Sequence, residues 1–146
     1  MFDDVTIQGP PVLQPAHLRP ESAYRVAHDL LVERAPREAL EVLERALELE
    51  PANTGLRALR AWAHLMRAQL QKAETELRSL VEETPDDVWA RFALGRALVR
   101  QSRLPDALPH LRMAAVMSGD PEHEVEVLRV ERMLAEAGHL SWDQLT

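Results

Sequence analysis

Ala39, Ala73 and Ala107 stand 34 residues apart, and Leu43, Leu77 and Leu111 keep the same interval. Pro51 and Pro85 repeat it, and Gly119 falls where a third proline would be due. Ala27, Ala61 and Gly95 form a further register of small residues, and Leu70 and Leu104 another. Self-similarity at this period constrains the chain to stacked helical hairpins, because a single unit cannot bury its apolar face alone. Such an array is a scaffold that offers an extended surface, not an enclosed reaction chamber.

A chain of 146 residues suits one domain with a real core. Hydrophobic content of 46% with 28% charged residues fits a soluble globular protein, and five glycines with one tyrosine favour helix over sheet. Cysteine is absent, which excludes both a disulfide framework and a thiolate metal site. Every basic residue except Lys72 is arginine, a usage that points to a GC-rich bacterial genome. The net charge of −7 argues against generic nucleic-acid binding. The first residues, Met1-Phe2-Asp3-Asp4, are acidic where a secretory signal would be basic, and no run reaches the roughly 18 apolar residues of a membrane span. The expectation is a cytoplasmic protein with no membrane association.

Residues 1–19 read as an extended N-terminal tail. Val5 and Ile7 alternate with polar residues, and Pro10, Pro11 and Pro15 exclude a helix. Pro20 suits the opening of a first helix. From there the pattern predicts helices over residues 21–34, 36–49, 54–67, 71–83, 88–101 and 105–117. Asn53 and Asp87 are placed as N-caps, each two residues after a proline. Asp120-Pro121 opens a seventh helix by the same logic, and Gly138 stops it. Pro109, four residues after Pro105, predicts a loose or late start to the sixth. Ser141 and Gln144 have capping-box spacing, and Trp142 would pack a closing turn.

These periodic residues resemble the tetratricopeptide repeat (TPR), a helix-turn-helix unit stacked into a superhelix. The third unit matches through Leu94, Gly95, Leu98, Ala107, Leu111 and Ala114, and the first through Ala27, Leu30, Ala39, Leu43, Ala46 and Pro51. The second matches through Ala61, Ala73, Leu77 and Pro85, but Arg60 and His64 stand where the family has large apolar side chains. That departure leaves the rotation of the third helix open by about one residue. The resemblance implies an all-α solenoid of three tetratricopeptide repeats (20–53, 54–87 and 88–121). A capping helix and C-terminal turn would follow over residues 122–146.

In this family the first helix of each hairpin lines a concave groove that binds peptides or partner helices. By register the groove would present Tyr24, His28, Trp62, Met66, Trp89, Phe92, Arg96 and Arg100. The third and fifth helices carry arginines without acids, whereas glutamates crowd the second and fourth, which predicts a basic, aromatic inner face. A ligand with apolar side chains and carboxylates would suit it, unless the arginines pair with those glutamates and the aromatics are core. The carboxylate clamp of chaperone-tail binders is absent, since Tyr24, His28, Leu59, Trp89 and Ala93 hold its positions. The apolar and acidic tail around Phe2, Asp3, Asp4, Val5 and Ile7 is itself a candidate occupant, in its own groove or a neighbour's.

No nucleophile motif, phosphate loop or metal signature is present, and the histidines read as solvated or groove-lining, though His28 and His64 are placed to approach one another. The expected function is a non-catalytic interaction scaffold without cofactor, with a protein or peptide partner. Self-association through the array ends or the tail is the alternative, and single-stranded nucleic-acid binding a distant third.

Overall fold

The computed structural model describes residues 8–11 and 22–138, and among them every regular element is a helix. The helices are α1 (Ala23–Val32), α2 (Pro36–Leu49), α3 (Thr54–Met66), α4 (Leu70–Glu83), α5 (Val88–Arg100), α6 (Leu104–Ser118) and α7 (Pro121–Glu136). Each packs against the next in sequence, and α1 also touches α3. The result is a layered solenoid with α1, α3 and α5 on one side and α2, α4 and α6 behind them. The expectations for Pro20, for residues 1–7 and 12–19, and for the closing turn around Trp142 lie outside the described residues.

The 34-residue registers become the contact points between layers. Ala27, Ala61, Ala39, Ala73 and Ala107 are fully buried, as are Leu43, Leu77 and Leu111. Small residues let paired helices approach closely, and each buried leucine then removes enough apolar surface to contribute roughly 1.5–3 kcal/mol.

Helix starts follow from side-chain caps. Ser22, Asn53 and Asp87 accept from the backbone N–H groups of Arg25, Leu56 and Ala90, satisfying donors that have no partner inside the helix. Asp120 caps α7 through Glu122 N–H, with Pro121 in the first turn. Gly119, in a left-handed conformation (φ 65°), closes α6 here without the proline used in the earlier loops.

The turns within the hairpins repeat with the same period. Arg34, Ala68 and Ser102 are left-handed (φ 64°, 57° and 60°) and lie 34 residues apart. Behind each, a backbone N–H reaches five residues back: Ala35 to Leu30, Gln69 to His64, and Arg103 to Leu98. This is a Schellman arrangement built three times without the usual glycine.

One expectation fails. The sixth helix begins promptly at Leu104 and runs through Pro109. Proline forfeits one backbone bond there, but burial of Ala107, Leu108 and Leu111 against the solenoid holds the turn in place.

Candidate peptide-binding face

The arginines of α3 turn toward the glutamates behind them. Arg57, only 8% exposed, donates from Nη1 to both carboxylate oxygens of Glu83 at 2.8 Å. Its Nη2 donates to Ser79 Oγ at 2.8 Å and its Nε to Glu76 at 3.3 Å. The hydrogen bond to Glu83 raises the Arg57 pKa against the cost of burial, helped by the charges of Glu76 and Glu83, and the same bond, with the Arg57 charge, lowers the pKa of Glu83. Arg60 donates from Nη2 to Glu76 at 3.1 Å and approaches Glu44 at 3.6 Å, tying α3 to α4 and α2. The inner face is therefore less basic than the sequence pattern predicted, because these charges are neutralised within the fold.

Rings line the first-helix layer instead. Tyr24 and His28 stack on α1 with centroids 6.1 Å apart, and His28 meets Trp62 of α3 at 6.0 Å. Trp62 is 7% exposed and Tyr24 3%. Burial pushes the Tyr24 hydroxyl above its ordinary pKa. Trp89, on α5, packs partly buried against the core on both sides of it. The open rotation of α3 is thereby resolved: Ala61 and Leu65 point inward and Trp62 joins the buried ring series. His64 turns elsewhere, its Nδ1 2.9 Å from Gln69 Oε1. Burial lowers its pKa, assisted by Lys72 and Arg60 and against the Gln69 hydrogen bond.

A short stretch of the N-terminal region lies across this layer. The Trp89 Nε1–H donates to the carbonyl of Gln8 at 2.7 Å, a contact spanning 81 residues. Gly9 sits so close to Trp62 that a Cβ added to it would be 2.6 Å from Cζ3 and 2.7 Å from Cη2. Pro10 is buried, whereas Gln8 and Pro11 are exposed. Phe2, Asp3, Asp4, Val5 and Ile7, the residues singled out from sequence as an occupant, lie outside the described ones.

The far end of the layer is taken by α7. Phe92 stacks on His123 with centroids 4.2 Å apart and planes 20° from parallel. Arg96, 3% exposed, pairs with Glu126, which Arg129 also contacts. Burial pulls the Glu126 carboxyl upward, but hydrogen bonding from Arg129 and the charge of Arg96 outweigh it and hold its pKa below the ordinary value. Arg112 of α6 adds a second tie to α7 through Glu131 at 2.9 Å. His123 and Glu126 stand one 34-residue period after Trp89 and Phe92, so α7 occupies the place of a fourth first helix. Extending the period past Gly119 was the signal available for both residues.

The predicted site residues are thus only partly gathered. Tyr24, His28, Trp62 and Trp89 form one neighbourhood, and Phe92 and Arg96 face α7. Arg100 donates from Nη1 to the Leu65 carbonyl at 2.8 Å, at the end of α3. Met66 packs partly buried beside the first hairpin. Gln8 and Gly9, which sequence reasoning did not single out, complete the Trp62–Trp89 site. An open depression of about 510 Å3 lies elsewhere, lined by Arg37, Leu40, Glu41, Glu44, Arg45 and Arg67. Among the described residues, no group of three His, Asp or Glu side chains is placed to hold a metal. Nor is any described helix long and apolar enough to cross a membrane.

Comparison with known proteins agrees with this architecture. Residues 30–90 match the tetratricopeptide repeat family model. The solved structures similar to this chain include an NMR structure of the second TPR domain of human RPAP3 in complex with the HSP70 peptide SGPTIEEVD. It superposes with a TM-score of 0.69 at 20% identity, covering 79% of this chain and 97% of that one. No curated protein matches the chain. The fold is an all-α solenoid of the tetratricopeptide type.

Proposed function

We propose that this tetratricopeptide-type solenoid is a non-catalytic, cytoplasmic protein–protein interaction module that takes an extended peptide along its first-helix face. One observation carries the reading: Trp62 and Trp89 already hold a piece of irregular backbone, Gln8 to Pro10, by a hydrogen bond and a close ring contact. A face that accommodates one such segment has the chemistry to accommodate another. The indole offers a donor for a carbonyl, and the flat rings offer apolar area with little side-chain entropy to lose.

The units are read as a tail over 1–19, repeats over 20–53, 54–87 and 88–121, and a cap over 122–146. Trp89 is the proposed anchor, with Tyr24, His28, Trp62 and Met66 extending the face and Phe92, stacked on His123, bounding it at α7. The ligand's apolar groups count for more than its carboxylates, since Arg57, Arg60 and Arg96 already have carboxylate partners.

The peptide bound to the RPAP3 domain supports a peptide partner as a class but not that particular tail. Of the residues at the clamp positions, Leu59 and Ala93 are fully buried and Tyr24 is 3% exposed. Peptides selected from a random display library on the wild-type chain should lose about 2–4 kcal/mol of affinity against Trp89→Ala, the usual range for truncating an aromatic anchor. Selected peptides that bind Trp89→Ala undiminished would end this reading.

Self-association is the second reading. Val125 and Leu128 are each 63% exposed on α7, the last helix among the described residues, a place where another array would stack. Sedimentation over a range of concentrations separates a monomer from a concentration-dependent dimer.

A further inference from the structure

We infer that the Trp62–Trp89 site selects a glycine–proline step, and that the chain's own Gln8-Gly9-Pro10 fills it until a partner peptide with the same step displaces it. The inference rests on reading this face as a peptide site and specifies what the site accepts.

Each of the three residues has a separate physical reason. The indole N–H can only donate, so Trp89 calls for an acceptor, here the Gln8 carbonyl at 2.7 Å, which sets the register of the bound segment. At the next position a side chain is excluded. A Cβ on Gly9 would lie 2.6, 2.7 and 3.1 Å from Trp62 Cζ3, Cη2 and Cε3, and Trp62, 7% exposed, is packed in the core with little room to swing aside. Gly9 is not in a left-handed conformation, so closeness, rather than backbone freedom, is what selects glycine. Proline suits the third position because Pro10 is buried. It brings no N–H that burial would strip of water, and its fixed φ lowers the entropy lost on docking. Nothing in the site calls for charge, in keeping with arginines that already have carboxylate partners.

Occupation from within the chain has a calculable consequence. A tethered segment acts at an effective concentration of about 1 mM, so a free-peptide dissociation constant of about 0.1 mM would leave filled sites outnumbering empty ones about ten to one and weaken an outside competitor about tenfold.

The test uses the full-length chain and a labelled peptide, Val-Thr-Ile-Gln-Gly-Pro-Pro-Val-Leu, copied from residues 5–13. Gly9→Ala and Gly9→Val should each release the tethered segment. Both should bind the free peptide about tenfold more tightly than the wild type by fluorescence polarisation. The Trp89 indole cross-peak in 1H–15N spectra should move in both. The same peptide with alanine for its glycine should bind neither variant. Equal affinity across the three chains with an unmoved indole peak overturns the tethered occupant, and an alanine peptide that binds as well as the glycine one overturns the selectivity. Failure of the broader reading is distinct. A display-selected peptide that depends on Trp89 but binds wild type and Gly9→Ala equally removes the competitor while leaving the peptide face. The absence of any peptide dependent on Trp89 removes both.

Discussion

Leu111 Cδ2 and Cγ lie 2.6 and 2.7 Å from the point where a Cβ on Gly95 would be, so α5 and α6 meet across a glycine that leaves room for the leucine. Two effects compete if that residue is changed. Alanine is favoured over glycine inside a helix by about 1 kcal/mol, while overpacking a tight core costs about 1–3 kcal/mol. Leu111 is fully buried and has no open space to turn into, so the second effect should win. Gly95→Ala is expected to lower stability by about 1 kcal/mol, read from urea denaturation midpoints. A stabilised variant would show that Leu111 yields.

Ala68 presents the opposite case. Its φ of 57° places a Cβ where left-handed geometry costs roughly 1–2 kcal/mol, against about 0.5–1 kcal/mol of extra backbone entropy lost by glycine. Ala68→Gly should therefore stabilise the protein by about 0.5 kcal/mol. Ala68→Val, with a branched Cβ at the same φ, should destabilise it. Thermal midpoints of the pair decide the matter, and a valine variant as stable as the glycine one would refute the account.

Arg57 joins α3 to α4 through Glu76, Ser79 and Glu83. Removing its side chain leaves partly buried acceptors without their strongest donor, and hydrogen bonds to charged groups are worth about 1.5–3 kcal/mol. Arg57→Ala should cost about 2 kcal/mol in urea unfolding. Arg57→Lys should recover only part, because an ammonium cannot reproduce the fork that reaches three partners. Glu83→Gln should cost less than either, as Glu76 and Ser79 remain. Full recovery by lysine would assign the effect to charge alone.

The helices were legible because their evidence is local. The spacing of Ala39, Ala73 and Ala107, and the caps Asn53 and Asp87, sit within a few residues of what they control. The left-handed turns were invisible, since Arg34, Ala68 and Ser102 are not residue types that advertise positive φ. Pro109 misled for a related reason: its local cost is real, but burial of Leu108 and Leu111 outweighs it. Charge on α3 and α5 was visible as composition, yet its destination on Glu76, Glu83 and Glu126 depends on which helix lies behind which. The tail was singled out as an occupant, but Trp89 and Gln8 are 81 residues apart, and nothing near Gln8-Gly9-Pro10 announces a ring to receive it.

The attachment of α7 should respond to acid, and the sign follows from Glu126. Its folded pKa lies below the ordinary 4.5, so the unfolded chain takes up the proton first. The stability contributed by Arg96 and Arg129 is therefore present above the unfolded value and is lost as pH falls through the folded one. His64 and His110 act at higher pH. Burial holds both pKa values below 6.5, so protonation favours the unfolded chain once pH drops beneath the unfolded histidine value. Denaturation midpoints should thus be level well above the unfolded histidine value of 6.5, decline as pH falls below it through His64 and His110, and decline again below 4.5 through Glu126 and the similarly depressed Glu74 and Glu83. Glu126→Gln should be less stable than wild type at neutral pH and show a shallower fall in the lower range. His64→Gln should make only the upper decline shallower, with His110 accounting for the rest. An acid limb unchanged by Glu126→Gln would mean that the pairing of α5 with α7 does not depend on that carboxylate's charge.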